Sequence, residues 1–354
     1  MLGDTTMFEL NRGTRIVLAA VSLFAASNAA FAAKQKVCVY DILGAGGDVF
    51  NMSKDWALDS AKNGADIELK AYTDERVAAE DFKTGQCDGV IATSFRTRQF
   101  NSIAGSMDAL GSSSIVKDGK VTNADAYKVV QTTIQYYSSE KGAGDMVRDK
   151  FEVAGIIPFG AAFLFVNDRG INSVEKLSGK KIAVFDYDKA QSTMVQKIGA
   201  QPVSADITNF ATKFNNGSVD IIAAPAAAYK PLELFKGLGA KGGIVRFPLT
   251  VLTYQIVINK DKFPADFGKK SRNFWLSQFD RALKLVESAE KGIPADKWVD
   301  IPTADAVKYT IMLRESRTAM AQTKMYDENT LKLMKKVRCK LNQADSECAD
   351  PAGL

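Results

Sequence analysis

The chain of 354 residues contains no histidine. That absence excludes Ser-His-Asp and Cys-His catalysis and any metal site that needs imidazole. Cysteine is scarce too, and the four present lack zinc-site spacing. Beyond the N-terminal segment, no apolar run is long enough to span a bilayer. The longest, 154–166, contains Pro158 and two glycines. Like charges form no block, and a net charge of +5 is mild for this length. Nucleic acid is therefore not an expected partner. Carboxylate or lysine chemistry stays open, so an enzyme is disfavoured rather than excluded. No metal or cofactor is expected.

The N-terminus has the form of a targeting segment. Arg12 and Arg15 precede an apolar run over 16–26, and Ala30-Phe31-Ala32 has the small-x-small form of a cleavage site. Residues 1–32 read as a secretory signal, with the exported chain starting near Ala33 and no membrane span left after cleavage. An uncleaved anchor is the alternative, and Met7 is an alternative start. An even cysteine count in an exported chain reads as two disulfides. Three pairings exist. Cys339 and Cys348 can close a small polar loop. Cys38 and Cys87 begin two predicted strands, and if these are parallel neighbours the side chains come within bridging range. Cys38–Cys87 with Cys339–Cys348 is the favoured pairing, against free buried thiols.

One pattern occurs twice. Lys36-Val37-Cys38-Val39-Tyr40-Asp41 reappears as Lys181-Ile182-Ala183-Val184-Phe185-Asp186. The stretch from Phe82 through Gly85, Asp88 and Ala92 returns from Phe214 through Gly217, Asp220 and Ala224. Each copy reads as strand, helix, strand, helix, strand, which implies a parallel sheet. The fold class is α/β with two similar lobes, each a parallel-rich sheet flanked by helices. Extended segments at 154–166 and 250–258 are expected to cross between lobes. The first lobe takes 33–158 with about 247–268, and the second takes 159–246. Residues 269–354 read as a helical C-terminal region, with helices over 270–291, 305–324 and 327–341, and 144–151 also looks helical.

Two facing lobes leave a cleft, where small ligands bind. Ligands of open α/β sheets sit beyond the carboxyl ends of the strands. That rule selects the loops 41–48, 93–98, 186–191 and 224–229, with the segment around Phe159 as a floor. Candidate ligand-binding residues are Asp41, Thr93, Ser94, Arg96, Phe159, Asp186, Tyr187, Gln191, Pro225 and Tyr254. Asp41 and Asp186 hold matching strand ends and can clamp an amine, or each can cap the next helix. Arg96 or Arg98 can hold a carboxylate through paired hydrogen bonds, or be surface charge. These readings predict ligands of opposite charge, and both stand. Tyr72 and Tyr229 are further aromatic candidates for the cleft wall, or core. Gly44-Ala45-Gly46-Gly47 lies where a phosphate loop would, but matches no phosphate fingerprint.

The segment Gly170-Ile171-Asn172-Ser173-Val174-Glu175-Lys176-Leu177-Ser178-Gly179-Lys180-Lys181-Ile182-Ala183-Val184 resembles the "tpeDLkGlKiRv" segment of the periplasmic solute-binding proteins of TRAP transporters (the DctP type). Ile198-Gly199-Ala200-Gln201-Pro202-Val203, the stretch from Phe214 to Asp220, and Val257-Ile258-Asn259-Lys260-Asp261-Lys262-Phe263-Pro264 resemble later landmarks in the same order. The resemblance covers most of the chain after the signal. It implies a periplasmic-binding-protein-like fold that closes on a small molecule and delivers it to membrane transporter components. There is one departure. The family's arginine after the Lys-Ile pair, which commonly meets a ligand carboxylate, is Ala183 here. Proteins similar to this chain are sometimes labelled RND-type multidrug efflux proteins. A chain without transmembrane helices would be at most a periplasmic accessory of such a pump.

Overall fold

The computed structural model describes residues 34–117, 120–349 and 354. The expected signal at 1–32 lies outside them. Among the described residues no helix is long and apolar enough to cross a membrane.

The first lobe begins with β1 (Gln35–Tyr40), α1 (Asp48–Lys62), β2 (Ile67–Tyr72), α2 (Glu75–Lys83) and β3 (Gly89–Thr93). β1 runs parallel to both β2 and β3. Its residues are almost wholly buried, as a continuous β-branched run requires of a strand covered on both faces. Helix α3 (Asn123–Ser138) follows, and then β4 (Phe151–Val166). The second lobe holds β5 (Lys181–Phe185), α4 (Lys189–Lys197), β6 (Gln201–Ala205), α5 (Phe210–Asn215) and β7 (Ile221–Pro225). β8 (Gly243–Asn259) returns antiparallel to β4. The C-terminal helices are α6 (Phe267–Ser277), α7 (Phe279–Lys291), α8 (Thr303–Gln322) and α9 (Glu328–Leu341).

One sheet runs through both lobes in the order β2-β1-β3-β8-β4-β7-β5-β6. The two long strands at its centre belong to both halves. β3 pairs with the C-terminal part of β8, and β7 pairs with the C-terminal part of β4. This is the two-lobed α/β architecture, with the crossing segments longer than the sequence pattern marked them.

The repeated motif has a structural cause. Gly85 and Gly217 adopt the left-handed conformation that ends each helix, with φ of +81° and +76°. Three residues on, Asp88 Oδ2 accepts from the Lys36 N–H at 3.0 Å, and Asp220 Oδ2 accepts from the Lys181 N–H at 2.9 Å. Each copy thus ties its third strand to its first by the same side chain.

Both disulfides form as paired in the sequence reading. Cys38–Cys87 lies inside the first lobe and Cys339–Cys348 in the C-terminal region. Two helical expectations need correction. Residues 144–151 form a short 3-10 turn and then extended backbone, because Val147 and Arg148 pair with Glu152 and Phe151 of β4. The expected helix over 270–291 is two helices that meet at Gln278.

Candidate ligand-binding site

The junction of the lobes encloses a cavity. Its floor is the pair of crossing strands. Phe159 is the extra residue of a β-bulge in β4, since Gly160 pairs with Leu252 while Pro158 pairs with Thr253. Gly160 takes φ +123°, which a side chain would resist. The bulge breaks the strand's alternation and turns Phe159 into the cavity wall. Tyr254 backs that ring at 4.6 Å between centroids, and Tyr40 packs behind Tyr254 at 6.1 Å.

The second lobe supplies most of the remaining wall. Leu164, Ile182, Ala183 and Ala223 of the sheet and Met194 and Val195 of α4 border the cavity. Pro225 and Gln191 close one side. Gln191 is held in place by its own strand, because its Oε1 accepts from the Phe185 N–H at 2.8 Å. About 80 Å³ is open to the centres of water-sized molecules. Among the described residues no lysine or arginine lines this space.

Three carboxylates do line it: Glu75, Asp108 and Asp188. Glu75 Oε2 accepts from Thr93 Oγ1 at 2.6 Å, and its Oε1 accepts from Tyr187 Oη at 2.9 Å. Burial raises the Glu75 pKa, while the Thr93 hydroxyl and Arg96 work against the rise. Asp108 Oδ1 accepts from Thr253 Oγ1 at 2.7 Å, and its Oδ2 accepts from the Thr253 N–H at 2.8 Å and from Ser94 Oγ. Burial pushes its pKa up to about 6. Asp188 Oδ1 accepts from the Gln191 N–H at the start of α4. These carboxylates are engaged by the protein itself, and they anchor the cleft's own elements.

The residues singled out in the sequence fall into three groups. Thr93, Phe159, Gln191 and Pro225 line the cavity, and Ser94 and Tyr254 stand directly behind it. Arg96 and Tyr187 meet across the lobe boundary, with the guanidinium 3.3 Å from the ring centroid. Neither Asp41 nor Asp186 lines the cavity. Asp41 is buried under the start of α1 and accepts from the Leu43, Val49 and Phe50 N–H groups. Its carboxylate occupies the helix N-terminus that a phosphate would need, and a Cβ on Gly47 would sit 1.8 Å from Asp41 Oδ1. Asp186 is exposed. Arg98 donates from Nε to the Gly105 carbonyl and lies over the Tyr326 ring. Tyr72 donates to Asp81, and Tyr229 packs against Phe165 and Phe235.

Sequence reasoning missed Glu75, Asp108 and Phe95. Glu75 follows β2, a strand end that the carboxyl-end rule also covers. Phe95 packs edge-on against Phe185 of the other lobe at 5.8 Å.

Comparison with known proteins agrees with this geometry. A family model described as solute-binding protein AdeT 1/2 matches residues 57–351. The probable solute-binding protein AdeT1 of Acinetobacter baumannii is 47% identical over 311 residues, covering 88% of this chain and 99% of the relative. Among solved structures, a TRAP periplasmic solute-binding protein from Ralstonia eutropha H16, with bound (S)-2-acetolactate, superposes with a TM-score of 0.69. It is 14% identical, and the match covers 87% of this chain and 99% of that one. A TRAP periplasmic solute-binding protein from Desulfovibrio salexigens, with bound orotic acid, gives 0.65 at 14% identity and the same coverage. The fold is thus that of the TRAP periplasmic binding proteins, and the match along most of the sequence makes this chain a member of the AdeT1/2 family of solute-binding proteins.

Proposed function

We propose that this protein captures a neutral, mainly apolar small molecule between its lobes in the periplasm and hands it to a membrane transporter. The observation that carries the ligand class is Ala183. It lines the cavity where the TRAP resemblance places a carboxylate-binding arginine, and among the described residues no lysine or arginine lines that space instead. Acetolactate and orotic acid, the ligands of the two compared structures, are carboxylates. A carboxylate in this cavity would meet buried carboxylates and apolar carbon, which is a large desolvation cost without compensation. An amine gains little either, because Glu75 and Asp108 already accept from Thr93, Tyr187, Ser94 and Thr253. An apolar wall with a few convergent polar groups suits a neutral molecule. In this reading the crossing strands divide the first lobe (33–158 with about 247–268) from the second (159–246), and 269–354 packs on both.

A thermal-shift screen of the chain lacking residues 1–32 tests the ligand class. Matched neutral, carboxylate and amine compounds of one carbon skeleton are compared. A ligand that binds only the native state raises the melting temperature by mass action. Neutral compounds are expected to raise it and their carboxylate analogues to leave it unchanged. Stabilisation by the carboxylates alone overturns the ligand class, and turnover of any compound overturns the binding role. N-terminal sequencing of the protein from a periplasmic fraction tests export, with a start near Ala33 expected.

A further inference from the structure

Arg96 is placed strangely for an ion pair. Its side chain is only 11% exposed, yet its Nε lies 3.9 Å from Glu75 Oε1, just outside hydrogen-bond reach. Nε and Nη2 are both buried without a hydrogen-bond acceptor among the described residues. The guanidinium is instead stacked 3.3 Å over the Tyr187 ring, and the hydroxyl of that same ring donates to Glu75 Oε1. Glu75 and Arg96 belong to the first lobe, and Tyr187 to the second. Tyr187 therefore reaches across the cleft, takes the oxygen nearest Arg96, and holds the cation off by stacking.

We propose that Glu75 is a shared acceptor, and that its exchange between Tyr187 and Arg96 sets the balance between the closed and open cleft. In the closed form Tyr187 donates to Glu75, and two buried guanidinium nitrogens go without an acceptor among the described residues. When the lobes part, the ring leaves, and Arg96 closes the short gap to form a direct ion pair. Each state thus has one good partner for Glu75. The unsatisfied donors work against closure, because a buried donor without an acceptor forfeits its hydration. The empty cleft is held back from shutting fully, and the contacts of a bound molecule supply the difference. Phe95 against Phe185 closes the same seam with no such opposition. The exchange depends on the lobe boundary alone and holds for a ligand of any class.

The test needs no ligand. Glu80→Cys on α2 and Thr212→Cys on α5 place one spin label on each lobe at exposed helical positions. The four native cysteines are in disulfides and do not compete. Interlobe distance distributions then give the closed-to-open ratio. Tyr187→Phe keeps the ring and removes the donor, so the ratio falls by about tenfold or more, tenfold being the lower end of the worth of a hydrogen bond to a charged group. Arg96→Leu removes the unsatisfied donors and the open-state ion pair, so the ratio rises. Arg96→Gln moves it the same way by less. The double variant departs from additivity, because both partners act through one carboxylate. If Arg96 only props the closed form by stacking, Arg96→Leu and Tyr187→Phe both open the cleft. That result, or a ratio unmoved by either variant, overturns the exchange. A cooperative urea transition shows that each variant is folded.

Discussion

Replacing Asp108 by asparagine isolates the titration of one buried carboxyl. Asp108 is fully buried, and burial raises its pKa from 3.8 to about 6, with Ser94, Thr253 and Arg98 opposing the rise. The native protein therefore keeps this proton over a pH range in which the unfolded chain has released it. The stabilisation is fully present below about pH 4 and is lost as pH rises through about 6. One pH unit within that window corresponds to about 1.4 kcal/mol. The whole window comes to about 3 kcal/mol, and above it Asp108 adds no further slope. The assay is urea unfolding of wild type and Asp108→Asn between about pH 4 and about pH 8, extrapolated linearly to water. Subtracting the two curves removes groups common to both, Glu75 included. The wild-type advantage is expected to shrink by about 3 kcal/mol across the window and then level off. A difference that is flat, or that grows with pH, refutes the assignment of a raised pKa to this carboxyl.

Two further perturbations separate scaffold from site. Opening Cys38–Cys87, which spans 49 residues, is expected to cost about 4 kcal/mol by loop entropy, and opening Cys339–Cys348, which spans 9, about 2.5 kcal/mol. Paired Cys→Ser variants in urea unfolding check the order, and an equal or reversed loss counts against it. Asp41→Ala should cost about 1–2 kcal/mol through loss of its contacts to the start of α1. The same variant should leave ligand-induced thermal shifts in place, and loss of those shifts in a folded variant would return Asp41 to the site.

The strands of both copies were legible because buried parallel strands carry continuous β-branched runs. The C-terminal helices showed in the spacing of Phe274, Trp275, Phe279 and Leu283. Their break at Gln278 carries no glycine or proline, and the chain turns there because α6 and α7 pack separately on β4. Residues 147–148 have helix-compatible neighbours, yet pairing with β4 prevails over local preference. The bulge at Phe159 was half visible. Pro158 and Gly160 flag an irregular strand, but only its partner's register shows which residue is extruded.

The site was less legible because the repeat directs attention to what the copies share. The shared groups are structural: the left-handed glycines, and Asp88 and Asp220, which tie each third strand to its first. The matching Asp41 and Asp186 part company, one under a helix and the other in solvent. The cleft is built where the copies differ. Cys38 is locked into a disulfide, while its counterpart Ala183 faces the cavity. Ile42 lines the cavity, while its counterpart Tyr187 reaches across to Glu75. A ligand bound between two identical lobes would meet the same groups from both sides. Here the first lobe offers Glu75 and Asp108, and the second offers mostly carbon with Asp188 and Gln191. The divergence at 183 and 187 removes the anion partner expected from the TRAP resemblance and adds an interlobe bond. The ligand class and the closure exchange proposed above thus both trace to the end of one strand, at two positions four residues apart.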